Sequence, residues 1–76
     1  MDDSSKIKLD NLVNEFHQYG KKTYPEDHAN RKYMDELFKM KEHWKNGTKD
    51  DEGKIPTAGE IGHFIYYLRW NGILPF

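Results

Sequence analysis

The last stretch of the chain, residues 57–76, TAGEIGHFIYYLRWNGILPF, most constrains what it can fold into, because it concentrates apolar and aromatic side chains in an otherwise very polar sequence. Its start carries a capping-box pattern. The Thr57 side chain can accept from the backbone N–H of Glu60, and the Glu60 carboxylate can reach back to the N–H of Thr57. Ile55 and Pro56 end whatever precedes it. Its stop is Asn71-Gly72, since glycine enters the left-handed region without steric cost. Ile73 falls where a closing apolar contact is expected, and Pro75 forbids continuation. The run does not alternate as a strand would, so the spacing predicts a helix.

This helix has two apolar faces. Ile61, Phe64, Ile65 and Leu68 recur at i, i+3, i+4 and i+7, the spacing of a core stripe. His63, Tyr66, Tyr67 and Trp70 repeat it on the opposite side, with Gly62 and Arg69 at the flank. A helix that is apolar all round is usually buried on both sides. One reading therefore sandwiches this helix within the chain. The other turns the second face toward a partner, because clustered exposed Tyr and Trp mark interfaces.

Composition limits the alternatives. A chain of 76 residues is near the lower limit for a self-sufficient core, and with no cysteine it has neither disulfides nor thiolate metal sites to staple it. Its aromatic content compensates: four Phe, five Tyr and two Trp, each able to bury a large area. Twelve Lys and Arg against 13 Asp and Glu leave no global field to attract nucleic acid or an anionic membrane. No signal-peptide region or membrane-spanning run is present, so the expected location is cytoplasmic. The chain reads as a complete small product beginning at Met1, of a size common among phage and mobile-element genes.

Two further helices are expected. The first spans about residues 6–19, capped by Ser4 or Ser5 after a frayed lead, with Leu9, Leu12, Val13, Phe16 and Tyr19 as its stripe and Gly20 as its stop. Lys21 and Lys22 suit its C-terminal dipole. The second begins at Pro25 or Glu26, with acidic residues in its first turn, and ends at Gly47. Ala29, Tyr33, Leu37, Met40 and Trp44 form its stripe, widened by Met34 and Phe38. Asp35 with Lys39, and Glu36 beside Lys41, read as a solvated face. Leu12, Phe16, Leu37, Phe38, Phe64, Ile65 and Leu68 are the expected core. Residues 47–54, GTKDDEGK, read as a mobile solvated loop. Consecutive Asp50, Asp51 and Glu52 lack the alternate ligand spacing and central glycine of a calcium loop. The apolar tail after Gly72 either docks on the core or anchors in a partner's groove.

Catalytic patterns are missing. None of the four histidines, His17, His28, His43 and His63, is paired at i, i+4, and no phosphate-binding glycine loop occurs. Glu60 with His63 is the one acid–base pair on a single helical turn, without a nucleophile beside it. Asn46-Gly47-Thr48 matches a glycosylation sequon, read as chance without a secretory signal.

These readings converge on an all-α, compact three-helix domain over residues 1–76, with the C-terminal helix central. It is expected to bind another protein as a small adaptor, modulator or inhibitor, with no enzymatic activity, cofactor or metal. The expected partner-binding residues are His63, Tyr66, Tyr67, Arg69 and Trp70. A nucleic-acid reading would stack bases on Tyr66, Tyr67 and Trp70 and set Arg69, Arg31, Lys32 and Lys22 on phosphates. The near-zero net charge disfavours it. A homodimer pairing the aromatic face with itself is a third reading.

Overall fold

A computed structural model describes residues 3–75, with side chains from residue 6 onward. Three helices, α1 (Asp3–Thr23), α2 (Ala29–Asn46) and α3 (Ala58–Trp70), account for the regular structure, and no strand occurs among the described residues. The all-α three-helix architecture is as the sequence predicts. Its centre is not: α2 packs against both other helices, while α1 and α3 scarcely meet. The C-terminal helix is therefore an outer layer, and α2 holds the middle.

α1 is longer than expected at both ends. It already includes Ser4 and Ser5, which read as caps, and it runs through Gly20. Met1 and Asp2 of the expected frayed lead lie outside the described residues. Gly20 stays helical because it is a contact point and not a terminator. A Cβ placed on it would stand 2.6 Å from Met34 Cγ and 2.8 Å from Met34 Cβ, closer than real side-chain contacts allow. Val13, Phe16 and Gly20 are buried and Leu9 packs against the core, so the inner stripe is 9, 13, 16 and 20. Leu12 lies off this stripe and is 40% exposed, which removes it from the expected core.

α1 and α2 run antiparallel along a seam of specific contacts. Lys41 Nζ sits 2.8 Å from Asp10 Oδ1, and Lys45 Nζ is 3.2 Å from Asp10 Oδ2. Farther along, the His17 ring stacks on Phe38 at 4.4 Å between centroids, and His17 Nε2 is 2.9 Å from Asp35 Oδ1. Asp35 thus meets His17 and Arg31, at 3.6 Å from Arg31 Nε, instead of the Lys39 expected from spacing. Phe38 is half-buried in this seam and lies outside the central cluster. Lys41, placed on the solvated face by the sequence reading, is only 1% exposed. Its ammonium also contacts the Glu42 carboxylate and lies 4.4 Å from the Phe38 ring centre.

α2 begins later than expected. Residues 25–28 form a turn closed by a 3.0 Å bond from His28 N to Pro25 O, and the His28 side chain caps the helix by accepting from Asn30 N at 3.0 Å. Glu26 and Asp27 therefore sit in the turn, not in the first helical turn. The connection is held by Arg31, which donates to Tyr24 O at 3.1 Å, and by Tyr24, whose hydroxyl donates to Ile73 O at 2.8 Å. α2 ends at Gly47, as the sequence predicts, with φ 69° and Thr48 N bonded to His43 O at 3.0 Å.

The core comprises Val13, Phe16, Met34, Leu37, Ile61, Ile65, Leu68, Ile73 and Leu74, with Tyr24, Met40, Trp44 and Phe64 packed around it. Phe16, Leu37, Ile65 and Leu68 are core as expected, and Phe64 is half-buried at its edge. Ile73 and Leu74 place the tail on the core, Pro75 is exposed, and Phe76 lies outside the described residues. The loop before α3 carries hydrogen bonds of its own. Asp50 Oδ1 accepts from Glu52 N at 2.9 Å and from Lys54 N at 3.1 Å, and Asp50 N donates to Lys54 O at 2.8 Å. This is an Asx-type turn, closed by Gly53 N to Asp50 O at 2.9 Å. Among the described residues, no helix is long and apolar enough to cross a membrane.

Candidate protein-interaction face

α3 is fixed at both ends by local chemistry. The capping box forms as predicted, with Glu60 N donating to Thr57 Oγ1 at 3.1 Å and Thr57 N to Glu60 Oε1 at 2.9 Å. Lys54 Nζ bonds the other Glu60 oxygen at 2.7 Å. This bond, first, and the Thr57 N–H hold the Glu60 carboxyl below its usual range, while partial desolvation opposes them. Both Glu60 oxygens are thus engaged in starting the helix. At the other end Gly72, at φ 73°, sends its N–H to Arg69 O at 3.1 Å, and Ile73 N reaches Leu68 O at 2.9 Å. That is a Schellman closure, and buried Ile73 and Leu68 supply its apolar contact.

With its ends fixed, the rotation of α3 is set by Ile61, Ile65 and Leu68, all buried. The opposite face is then left exposed, with only its Tyr67 edge reaching α2. Tyr66 is 59% exposed, Tyr67 44% and Trp70 79%, and His63 and Arg69 are exposed beside them. The sandwiched reading of this helix is overturned, because α1 packs on α2 and leaves the outer side of α3 uncovered. All five residues singled out from sequence lie on this side. His63, Tyr66, Tyr67 and Trp70 together line a shallow open depression of about 260 Å³.

The rings order one another. Tyr66 and Trp70 stack at 6.2 Å with 28° between planes, and Phe64 and Tyr67 stack at 6.1 Å and 12°. Tyr67 also meets Tyr33 of α2 edge-on at 6.2 Å and 69°. The sequence reading assigned Tyr33 to the inner stripe of α2, but it is exposed and continues the aromatic surface onto that helix. Its position one residue before buried Met34 and four before buried Leu37 shows it at the edge of that stripe. Gly62 also belongs to the face. It is exposed, and a Cβ built there would meet no atom within 4 Å.

A larger basin of about 590 Å³ lies between α2, the Asp50 turn and the start of α3, lined by residues that include Glu36, His43, Asp51, Lys54 and Glu60. Its charges are partly used internally: Asp50 closes its turn, and Glu60 holds the cap and Lys54. Among the described residues, no group of three or more His, Cys, Asp or Glu is placed to hold a metal ion. Three of the histidines have structural contacts: His17 with Asp35 and Phe38, His28 at the α2 cap, and His43 Nδ1 3.0 Å from Thr48 Oγ1.

Comparison with known protein families, with curated proteins and with solved structures finds no match to this chain.

Proposed function

We infer that this chain is a non-catalytic protein-binding module, a small adaptor, modulator or inhibitor working in the cytoplasm, and that it engages another protein through the outer face of α3. The observation that carries the reading is Trp70 at 79% exposure, stacked on the exposed Tyr66 within a continuous aromatic strip. Large rings left in water forgo the burial that stabilises a small domain, so a contiguous patch of them marks a surface that is covered in use. Tyr, Trp and Arg are also the residue types that dominate binding energy at protein interfaces. Tyr67, Tyr33 and Phe64 back the strip with ordered ring contacts, which limits the entropy lost on docking.

The nucleic-acid reading has weaker support. Of the cations it needs, Arg31 is engaged with the Tyr24 carbonyl and Asp35. The net charge of −1 gives no attraction to phosphate.

The test is affinity capture from a lysate of cells that produce the native chain, with wild-type bait beside a Tyr66→Ala/Trp70→Ala bait of verified helical content. Proteins held by the wild type and lost by the variant are expected. Capture that is identical for both baits, or salt-dependent quenching of Trp fluorescence by added RNA or DNA, would replace this reading.

A further inference from the structure

Gly62 lies within the 13 residues of α3, where glycine is among the poorest helix formers. Nothing in the chain requires it, since its φ is unremarkable and a side chain there would enter open space. Its use becomes clear from the order of residues along the exposed face. Gly62 and Trp70 lie at equal distances on either side of Tyr66, and so do His63 and Arg69. Small residues, Gly59 and Gly62, occupy the N-terminal half of the strip, and the bulky Trp70 occupies the C-terminal half.

Resting on the reading of this face as a protein interface, we propose that its occupant is a second copy of this chain, with the two α3 helices antiparallel across a two-fold axis at Tyr66 and each Trp70 seated over the partner's Gly62. A two-fold contact must be self-complementary: where one residue meets a second on the other copy, the second meets the first in return. Here the antiparallel arrangement sets Trp70 against Gly62 and His63 against Arg69, while Tyr66 meets its own counterpart on the axis. At 1.5 Å rise per residue, Gly62 and Trp70 each stand about 6 Å from the axis along the helix, in register with one another. A parallel pairing instead sets Trp70 on Trp70 and leaves an unfilled gap at Gly62. Antiparallel helices also align their dipoles favourably. The missing Cβ at Gly62 lets the indole lie against helix backbone.

The aromatic surface supplies part of the area such a contact needs, and the charge does not oppose it. The exposed parts of Tyr33, Tyr66, Tyr67 and Trp70 amount to about 400 Å² on the scale of aromatic side chains. That is about half of the roughly 800 Å² that each partner contributes to a standard interface. Gly59, Gly62, His63 and Arg69, all exposed, extend the same strip. A net charge of −1 per copy imposes little repulsion on self-association.

Sedimentation equilibrium of the full chain tests the proposal, with wild type, Gly62→Leu, Gly62→Ala and the exchanged pair Gly62→Trp/Trp70→Gly. The wild type is expected to dimerise with a Kd in the micromolar range or tighter. Gly62→Leu fills the notch and should weaken the dimer at least tenfold. It should leave the thermal midpoint of the monomer unchanged or raised, because the position is open and Leu favours helix. Gly62→Ala should fall between, and the exchanged pair should recover most of the lost affinity, because it restores large against small. A wild type that stays monomeric at its highest soluble concentration overturns the proposal, and so does a dimer whose Kd ignores Gly62→Leu. A monomeric wild type that still captures a different protein, and loses it with Tyr66→Ala/Trp70→Ala, removes the homodimer while leaving the interface reading intact. Capture unaffected by that variant removes both.

Discussion

Met34 occupies the space that a side chain on Gly20 would need: an ideal Cβ at Gly20 would lie 2.6 Å from Met34 Cγ. This contact sets how closely α1 approaches α2, and Met34 is completely buried there. Gly20→Ala therefore combines two opposed effects. Alanine favours the helix over glycine by about 1 kcal/mol. Forcing a methyl into packed space costs about 1–3 kcal/mol, and the clash includes Met34 Cβ, which cannot swing away as the end of the side chain can. The net expectation is destabilisation by up to about 2 kcal/mol. Urea unfolding checks it, and an increase in midpoint would show that the two helices do not meet closely at Gly20.

A second prediction concerns Lys41. Burial of the ammonium is the largest influence and would lower its pKa, but the hydrogen bonds to Asp10 and Glu42 together outweigh it, so it lies above 10.5. Lys41→Ala leaves Asp10 with Lys45 alone and should cost about 3 kcal/mol, the lower end for breaking a buried pair, since Asp10 retains some contact with water. Lys41→Met combined with Asp10→Leu should recover most of that loss, because apolar replacement of a whole buried pair is often neutral. A double-mutant cycle with no coupling between the two positions would mean that the 2.8 Å contact adds nothing to stability.

The same pair fixes the direction of the pH dependence. The hydrogen bond from Lys41, first, holds the Asp10 carboxyl below its ordinary 3.8, against the opposing effect of burial. A group whose pKa is depressed by folding binds its proton more readily when unfolded. Its stabilisation is thus complete above the unfolded value and is lost as pH falls through the folded one. Glu60 acts in the same direction through Lys54 and the Thr57 N–H. Lys41, raised by folding, contributes fully below its unfolded value and loses that contribution only as pH climbs above 10.5 toward the folded value. Melting temperature is expected to decline below about pH 4, where carboxylates protonate. Asp10→Asn should have a shallower acid decline than wild type, and an identical one would remove Asp10 from this account.

How much of this was legible beforehand depends on the range of the forces involved. The ends of α3 were readable because Thr57, Glu60 and Gly72 act within one helical turn. The two faces of α3 were readable from spacing. Which face lies in water was not, because that depends on where α1 docks. Gly20 was misread for the same reason: a glycine that admits Met34 looks, in sequence, like a glycine that ends a helix. Lys41 was recoverable, since Met34, Leu37 and Lys41 share the spacing of one helical face. Its charge concealed a core position, and its half-buried partner, Asp10, was distant in sequence.

The Asp50 turn gives a local prediction. Its carboxylate accepts from the N–H groups of Glu52 and Lys54, and Gly53 adopts φ 83° to close the loop. Asp50→Ala should therefore accelerate amide exchange at Glu52, Gly53 and Lys54 while lowering global stability by only about 1 kcal/mol, the usual value of exposed hydrogen bonds of this kind. Exchange that is already at the unprotected rate in the wild type would restore the picture of a mobile, solvated loop.

The final prediction separates fold from function on α3. Tyr66 and Trp70 are exposed, stack on each other and lie outside the core cluster, so Tyr66→Ala/Trp70→Ala should keep the far-ultraviolet dichroism of the wild type. It should lower unfolding stability by less than about 1.5 kcal/mol, the upper value of an aromatic pair beyond its buried area. Phe64→Ala, at the edge of the core, should cost more, about 3 kcal/mol. If the outer face is an interface, the first variant loses association by about 2 kcal/mol or more, the level at which an interface side chain dominates binding. The two variants thus divide the helix: one weakens the fold and removes the ring behind Tyr67 while Tyr66 and Trp70 remain, and the other removes those two outer rings from an intact fold. Unfolding by Tyr66→Ala/Trp70→Ala would mean that these rings are core, and would withdraw the interaction face altogether.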